Sequence, residues 1–315
     1  MGEGLGVFAM PDWLTVSDEV RAAVAAGRPV VALESTLIAH GLPWPVNLET
    51  ARASEAAVRA GGAVPATIAV LHGAPTVGLS DAQLEELARA PGVRKASRRD
   101  LGAAVALKQH AATTVSATMA LAHAAGVRVF ATGGIGGAHR DAEPFDISAD
   151  LTELARTPVL VVCAGAKSIL HLPRTLEILE TLGVPVVGYR TDAFPAFYVR
   201  DHAPPLPVSA RVDSARDAAA LFAAHVRMGG GGAVLAQPCP AEVAVPAADF
   251  DRWLHDAERD ARAANVTGAK VTPFLLSRLA ELSGGRTLTA NRVLIVANAR
   301  LAAEVAISLP NGLGW

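Results

Sequence analysis

The sequence predicts an α/β fold in which helices flank a largely parallel or mixed sheet, and three observations support it. Short apolar runs alternate with helical patterns along most of the 315 residues, the signature of successive βαβ units. Alanine, valine and leucine supply most of the apolar side chains and aromatics only 4% of the chain, as in cores of helix-covered parallel strands. No segment repeats at a fixed period, so a solenoid is not expected.

The candidate strands, in order, are Pro29–Leu33, Ala66–Leu71, Val127–Thr132, Val159–Ala164, Val184–Tyr189 and Ala233–Ala236. Between them, helical patterns lie near Leu48–Ala60, Asp81–Ala90, Asp100–His110, Thr114–Ala125 and Pro173–Leu182. The last third adds helical runs near Ala241–Ala264, Pro273–Ser283 and Ala290–Ile307. Glycine and proline interrupt the loops Gly41–Pro45, Gly133–Gly137, Asp201–Pro207 and Met228–Gly232. Pro204–Pro207 can neither continue a helix nor sit in a central strand, so a surface crossover is expected there. The four glycines Gly229–Gly232 read as a mobile connector, with a rigid glycine turn as the alternative. Neither break reads as a linker between independent units. A single domain over 1–315 is expected, with a short extension at 1–12.

Composition narrows the function classes. At 51% hydrophobic and 18% charged the chain can bury a substantial core. A formal net charge of -2 argues against a protein that coats nucleic acid, though not against a small phosphorylated substrate. No stretch is long and apolar enough to span a membrane, and the first eleven residues lack the pattern of a secretion signal. Two cysteines, Cys163 and Cys239, make no disulfide framework, so a reducing cytoplasm is expected.

Lys167 directly follows the apolar run Pro158–Ala166 and precedes a helical-looking stretch. A lysine at the end of a buried strand is poorly solvated, which favours a nucleophilic amine, and amines attack carbonyl carbons to form imines. A surface lysine just past a strand is the simpler alternative. Glu34 also ends a strand, in Leu33–Thr36, where open α/β sheets bind ligands. Burial would raise its pKa and let it donate a proton near neutrality. A capping or ion-paired glutamate is the competing reading, and His40 and Trp44 nearby read as lid packing.

Thr132–Arg140 holds four glycines followed by His139 and Arg140, where backbone amides could approach an anion. A tight structural turn explains it equally, and the spacing fits neither a dinucleotide nor a triphosphate loop. In Phe145–Leu151, Asp146 and Asp150 flank Ser148, a set that suits a hard divalent cation or, on spacing, a helix N-cap. Zinc is not expected, since no H-E-x-x-H or Cys/His cluster stands in the sequence. The densest basic run, Arg94–Asp100, contains Lys95 and reads by default as a solvated turn.

The ordered set of these segments resembles the pseudouridine-5'-phosphate glycosidase family, also known as indigoidine-synthesis A-like. It is carried by Ala32–Thr36 with His40-Gly41, Pro65–Ala69, Ala112–Val115, Gly133–Arg140, Phe145–Leu151, Gly165–Leu170 and Thr272–Leu276. The resemblance implies a three-layer α/β/α sandwich around a mixed, largely parallel sheet, and a homotrimer. It implies cleavage of the C–C glycosidic bond of pseudouridine 5'-phosphate to uracil and ribose 5-phosphate, with one manganese per subunit or another divalent cation. Carried over by motif, Lys167 is the nucleophile, Glu34 the proton donor and Asp146 the metal ligand. Ser148, Ala149 and Asp150 line the substrate site, Lys95, Val115 and His139 contact sugar, phosphate or base, and Asn291 meets the uracil edge. No nucleic-acid or membrane partner is implied.

This chain departs from the family pattern in a loop one residue shorter between His139 and Phe145, and at His171, Gln237 and Ala297. None of these removes a proposed catalytic residue, so they bear on selectivity and rate. The alternatives are a sugar kinase-related protein, disfavoured by the missing triphosphate loop, and a non-catalytic sugar-phosphate-binding protein.

Overall fold

The computed structural model describes residues 10–140, 146–200, 203–267 and 271–310. Phe145, the loop preceding it, residues 201–202 of the Asp201–Pro207 loop and most of the expected extension at 1–12 lie outside the described residues.

The chain begins with β1 (Thr15–Val16) and α1 (Asp18–Ala25), which Ser17 caps by accepting the Val20 amide. Strand β2 (Val30–Leu33) ends one residue before Glu34. A π-turn at Leu37–Gly41 and helix α2 (Val46–Ala60) lead to β3 (Val64–Leu71). His72 and Gly73, at φ 51° and 81°, turn the chain back into β4 (Ala74–Val77). Helix α3 (Asp81–Arg89) starts on a Ser80/Gln83 capping box. Then come β5 (Arg94–Ala96), a 3-10 turn, α4 (Leu101–Ala106), β6 (Ala111–Thr113), α5 (Val115–Ala124) and β7 (Val129–Ala131). Helix α6 (Ala149–Arg156), β8 (Leu160–Cys163), α7 (Leu172–Thr181) and β9 (Val186–Tyr189) follow. The last part holds β10 (Ala210–Val212), α8 (Ala215–Arg227), β11 (Ala233–Ala236), α9 (Ala247–Ala263), α10 (Val271–Leu282) and α11 (Arg286–Ser308).

The strands pair in the order β3-β2-β7-β8-β11-β9-β10, every neighbouring pair parallel. Strand β3 is shared. Its first half pairs with β2 at Val64–Thr67, and its second half pairs antiparallel with β4 and β6. With β1 and β5 added in parallel to β4 and β6, a smaller mixed sheet grows from the end of the parallel one. The sheet is therefore mixed and largely parallel, as the resemblance implied.

Both faces of the parallel sheet are apolar because both are covered. On β2, Val31 and Leu33 pack with Val58, Phe222 and Ala299 from α2, α8 and α11, while Val30 and Ala32 join the opposite core. That second core takes Val20 of α1, Met119 of α5, Leu151 of α6, Leu179 of α7 and Phe250 of α9. Three layers result.

The six expected strands are all present, within two residues at each boundary. Helices α1 and α8 lay outside the expected helical runs, and α6 was foreseen only at its Asp/Ser N-cap. Helix α9 starts at Ala247, after Pro246, rather than at Ala241. Helix α11 starts earlier, at Arg286, because Gly284 and Gly285, at φ 60° and 84°, separate it from α10. The turn Gly229–Gly232 corrects an expectation, for it is a rigid seat and not a mobile connector. Gly232 donates to Leu154 O at 2.7 Å, and a Cβ on Gly231 would stand 2.3 Å from Ala155 O. Only glycine passes so close to the end of α6.

Candidate active site

The direction of strand addition reverses between β2 and β7. Helix α2 carries the chain from β2 to β3 across one face, and α6 carries it from β7 to β8 across the other. Such a switch point opens a crevice at the carboxyl ends of the strands. Glu34 follows β2, Thr132 follows β7 and Lys167 stands four residues past the end of β8, all at that crevice.

Local geometry fixes each of them. Lys167 donates its backbone N–H to Ile135 O at 3.1 Å, and Ile135 donates to Gly165 O at 3.0 Å, so the lysine segment is laced to the glycine loop. Gly165 sits at φ 85°, where a Cβ would lie 2.0 Å from Pro195 O. The Glu34 carboxylate accepts from the Thr132 hydroxyl. Asn298 on α11 donates to Thr132 O at 2.9 Å, and Gln237 donates to Asn298 Oδ1 at 3.2 Å. The departure at Gln237 thus has a place: it anchors the asparagine that anchors Thr132.

Glu34, Lys95, Lys167 and Asn291 line one cavity, with His40, Thr67, Phe197, Thr272, Leu276 and Ile295 among its walls. Burial raises the Glu34 pKa above the ordinary carboxylate value and Asp150 adds to the rise, while the Lys167 charge and the Thr132 hydrogen bond oppose it. The Lys95 side chain reaches solvent at the cleft, yet desolvation by the walls and the neighbouring Lys167 lower its pKa, against Glu34 and Asp150. His40 is lowered too, by desolvation and then by Lys95. The Asn291 side chain is 9% exposed, and its Oδ1 is buried without a partner. Two lysines beside a buried acid make a pocket suited to an anionic substrate.

The remaining predicted site residues ring the glycine loop beside the cavity, and none is among its lining residues. Asp150 is buried and accepts from Ser116 N at 2.9 Å and Gly136 N at 2.8 Å. Ser148 caps α6, accepting from Asp150 N at 3.3 Å, so the N-cap reading holds for it. Ala149 opens α6 and Val115 opens α5. His139 is half-buried, and its backbone N–H reaches Asp146 O at 3.1 Å. The amides of Ile135, Gly136, Ala138 and His139 are all spent on protein acceptors, which favours a structural turn over an anion cradle at those four positions. Trp44 faces outward under the Arg89 guanidinium, 4.1 Å from its ring centre. Sequence reasoning missed Phe197, which no pattern marks. It adopts φ 60° and packs where a Cβ on Gly134 would come within 2.7 Å of its ring.

Asp146 is exposed, with no side-chain partner among the described residues. A single accessible carboxylate fits a hard cation that keeps most of its waters. Among the described residues one cluster could hold a metal through three protein side chains: His72, Glu86 and His110, with ligand atoms within 4.8 Å of one another. None of the three lines the cavity. The sequence showed no local zinc-ligand pattern, and the fold assembles one from three separate segments.

Residues 19–308 match the family described as indigoidine synthase A like protein. The chain belongs to the indigoidine synthase A-like family. It is 56% identical over 94% of its length to the pseudouridine-5'-phosphate glycosidase of Methylobacterium nodulans, covering 88% of that protein. It is 54% identical, over 94% of this chain and 98% of the other, to the pseudouridine-5'-phosphate glycosidase of a Jannaschia species. The structure of the prealnumycin C-glycosynthase AlnA in complex with ribulose 5-phosphate superposes with a TM-score of 0.87 at 43% identity, over 95% of this chain and 98% of that one. An indigoidine synthase A-like protein from Thermotoga maritima gives 0.84 at 35%, with the same coverages. With relatives this similar over nearly its whole length, this member of the family is an enzyme. No helix among its described residues is long and apolar enough to cross a membrane.

Proposed function

We propose that this enzyme cleaves the C–C glycosidic bond of pseudouridine 5'-phosphate, reversibly, to uracil and ribose 5-phosphate. The observation that carries this reading is the meeting of Glu34 and Lys167 in one cavity at the β2/β7/β8 strand ends. The names of the relatives and the sugar phosphate bound to AlnA point the same way.

A carbon leaving group cannot be released by protonating an exocyclic heteroatom, so a nitrogen bonded to C1' must supply the electrons that expel it. Glu34, whose pKa burial raises, donates a proton to the ring oxygen; the C1'–O bond breaks as Lys167 Nζ bonds to C1'. Once the uracil carbon is protonated, the nitrogen lone pair expels it and leaves an imine on Lys167. Water then releases ribose 5-phosphate. Lys95 holds the phosphate or sugar, with Val115, His139, Ser148, Ala149 and Asp150 shaping the rim. The unpaired Asn291 Oδ1 accepts an N–H of the uracil edge. Asp146 would hold manganese, and the cation would supply positive charge for the phosphate and ordered water. Residues 1–315 act as one domain in a homotrimer. Two buried free cysteines suit a reducing cytoplasm.

The test is to incubate the enzyme with ribose 5-phosphate and borohydride and to map the adduct by mass spectrometry. A stable adduct on Lys167, absent from Lys167→Met, is expected. Turnover by an enzyme that is never trapped overturns the imine. Asp146→Ala is expected to abolish manganese-dependent uracil release while circular dichroism stays unchanged; full activity of the wild type in excess chelator would remove the cation from this account.

A further inference from the structure

On the mixed sheet, away from the cavity, three potential ligands converge from segments far apart in sequence. His72 stands in the β3–β4 turn, Glu86 on α3 and His110 just before β6. His72 Nε2 lies 2.8 Å from Glu86 Oε1, and His110 Nε2 lies 3.8 Å from the same oxygen. The two imidazoles meet edge to face, ring centres 4.1 Å apart. We propose that His72, Glu86 and His110 form a binding site for a borderline divalent metal of the zinc class, completed by water.

The spacing fits. Ligands about 2.0–2.1 Å from a tetrahedral zinc ion stand roughly 3.3 Å from one another. The two separations from Glu86 Oε1 fall on either side of that figure, so sub-ångström movements suffice. A hydrogen bond accounts for the first contact, but 3.8 Å is too long for the second. Two imidazoles and one carboxylate favour zinc over manganese or magnesium, which prefer oxygen donors. This site therefore takes a different ion from Asp146.

The surroundings set its character. The His72 and Glu86 side chains are 70% and 41% exposed, so an ion enters from solvent and keeps water. His72 also occupies a left-handed position of a two-residue hairpin, where Asn, Asp or Gly is usual. The buried Nδ1 of His110 lacks an acceptor, and metal binding at Nε2 places the proton there, which weakens the site. A bound ion ties the β3–β4 turn and α3 to the start of β6. That strand pairs with β5 in a register that sets Ala112 opposite Lys95.

The test uses the full chain stripped with chelator and titrated with zinc alone, then with manganese alone, by calorimetry. Expected are close to one zinc per chain in the wild type, weaker manganese binding, and a rise in melting temperature with zinc. His72→Asn, which suits the left-handed turn, and Glu86→Gln should each weaken zinc binding at least about tenfold, since lost outer-shell partners alone cost about 10–100-fold. Asp146→Asn should retain it. Absence of stoichiometric zinc uptake, wild-type affinity in both cluster variants, or loss of uptake in Asp146→Asn overturns the proposal. Turnover is not the readout, so either outcome leaves the reading of the cavity untouched.

Discussion

Thr132 shows how one hydroxyl can govern an acid. Its hydrogen bond favours the charged form of Glu34, while burial favours the neutral form and prevails. Thr132→Val removes the opposing contribution, so the Glu34 pKa should climb further. The alkaline limb of the kcat/KM profile for uracil release should then move to higher pH. Lost orientation should lower the plateau by roughly ten- to a hundredfold. Thr132→Ser should restore both, and a limb that stays in place in Thr132→Val would show that Glu34 is not the titrating acid. Glu34 and Lys167 were legible in the sequence because each ends an apolar strand, where a charged side chain needs a reason. Lys95 came to the site only through the family resemblance, for its own run reads as a solvated turn and the side it faces depends on β5 pairing with β6. His72, Glu86 and His110 were illegible as a group, since nothing local predicts that a hairpin, a helix and a strand start will meet.

Among the elements, the turn between α8 and β11 carries the clearest expectation. Gly231→Ala drives a Cβ against the carbonyl that ends α6, a backbone atom that cannot swing away. Overpacking of this kind costs about 1–3 kcal/mol. Gly102→Ala makes the contrast: it lies within α4 with open space around it, and should stabilise by about 0.5–1 kcal/mol. Urea unfolding of both variants measures the difference, and equal midpoints would mean that the glycine turn is not rigid. The parallel strands were readable because burial on both faces makes them continuous apolar runs. The strands β4, β5, β6 and β10 were not, for each short run carries a Thr, Arg or Lys that breaks the apolar pattern. Helix α8 escaped notice although Phe222 is fully buried, because its other buried residues are alanines that mark no face.

For the whole molecule, pH dependence is set partly by a carboxylate bonded to the cavity wall. Glu55 on α2 accepts from Thr67 at 2.6 Å, yet desolvation raises its pKa above the ordinary value. The folded state therefore binds its proton more tightly than the unfolded chain, and stability from this group is lost as pH rises through the folded pKa. Glu55→Gln should raise the melting temperature at about pH 7, and the gain should fade toward about pH 4. A variant that melts like the wild type at both pH values would contradict the sign. Family and layer architecture could be read from ordered sequence segments, but the two sheets fused along β3 could not, because one strand serving two partners looks locally like any other. The cavity has a wall of late origin: Asn291 and Ile295 belong to α11, and Asn298 on the same helix steadies Thr132. During synthesis Glu34 and Lys167 emerge long before that helix. A growing chain thus carries the proposed reactive pair in an unfinished chamber, walled on that side only once α11 docks.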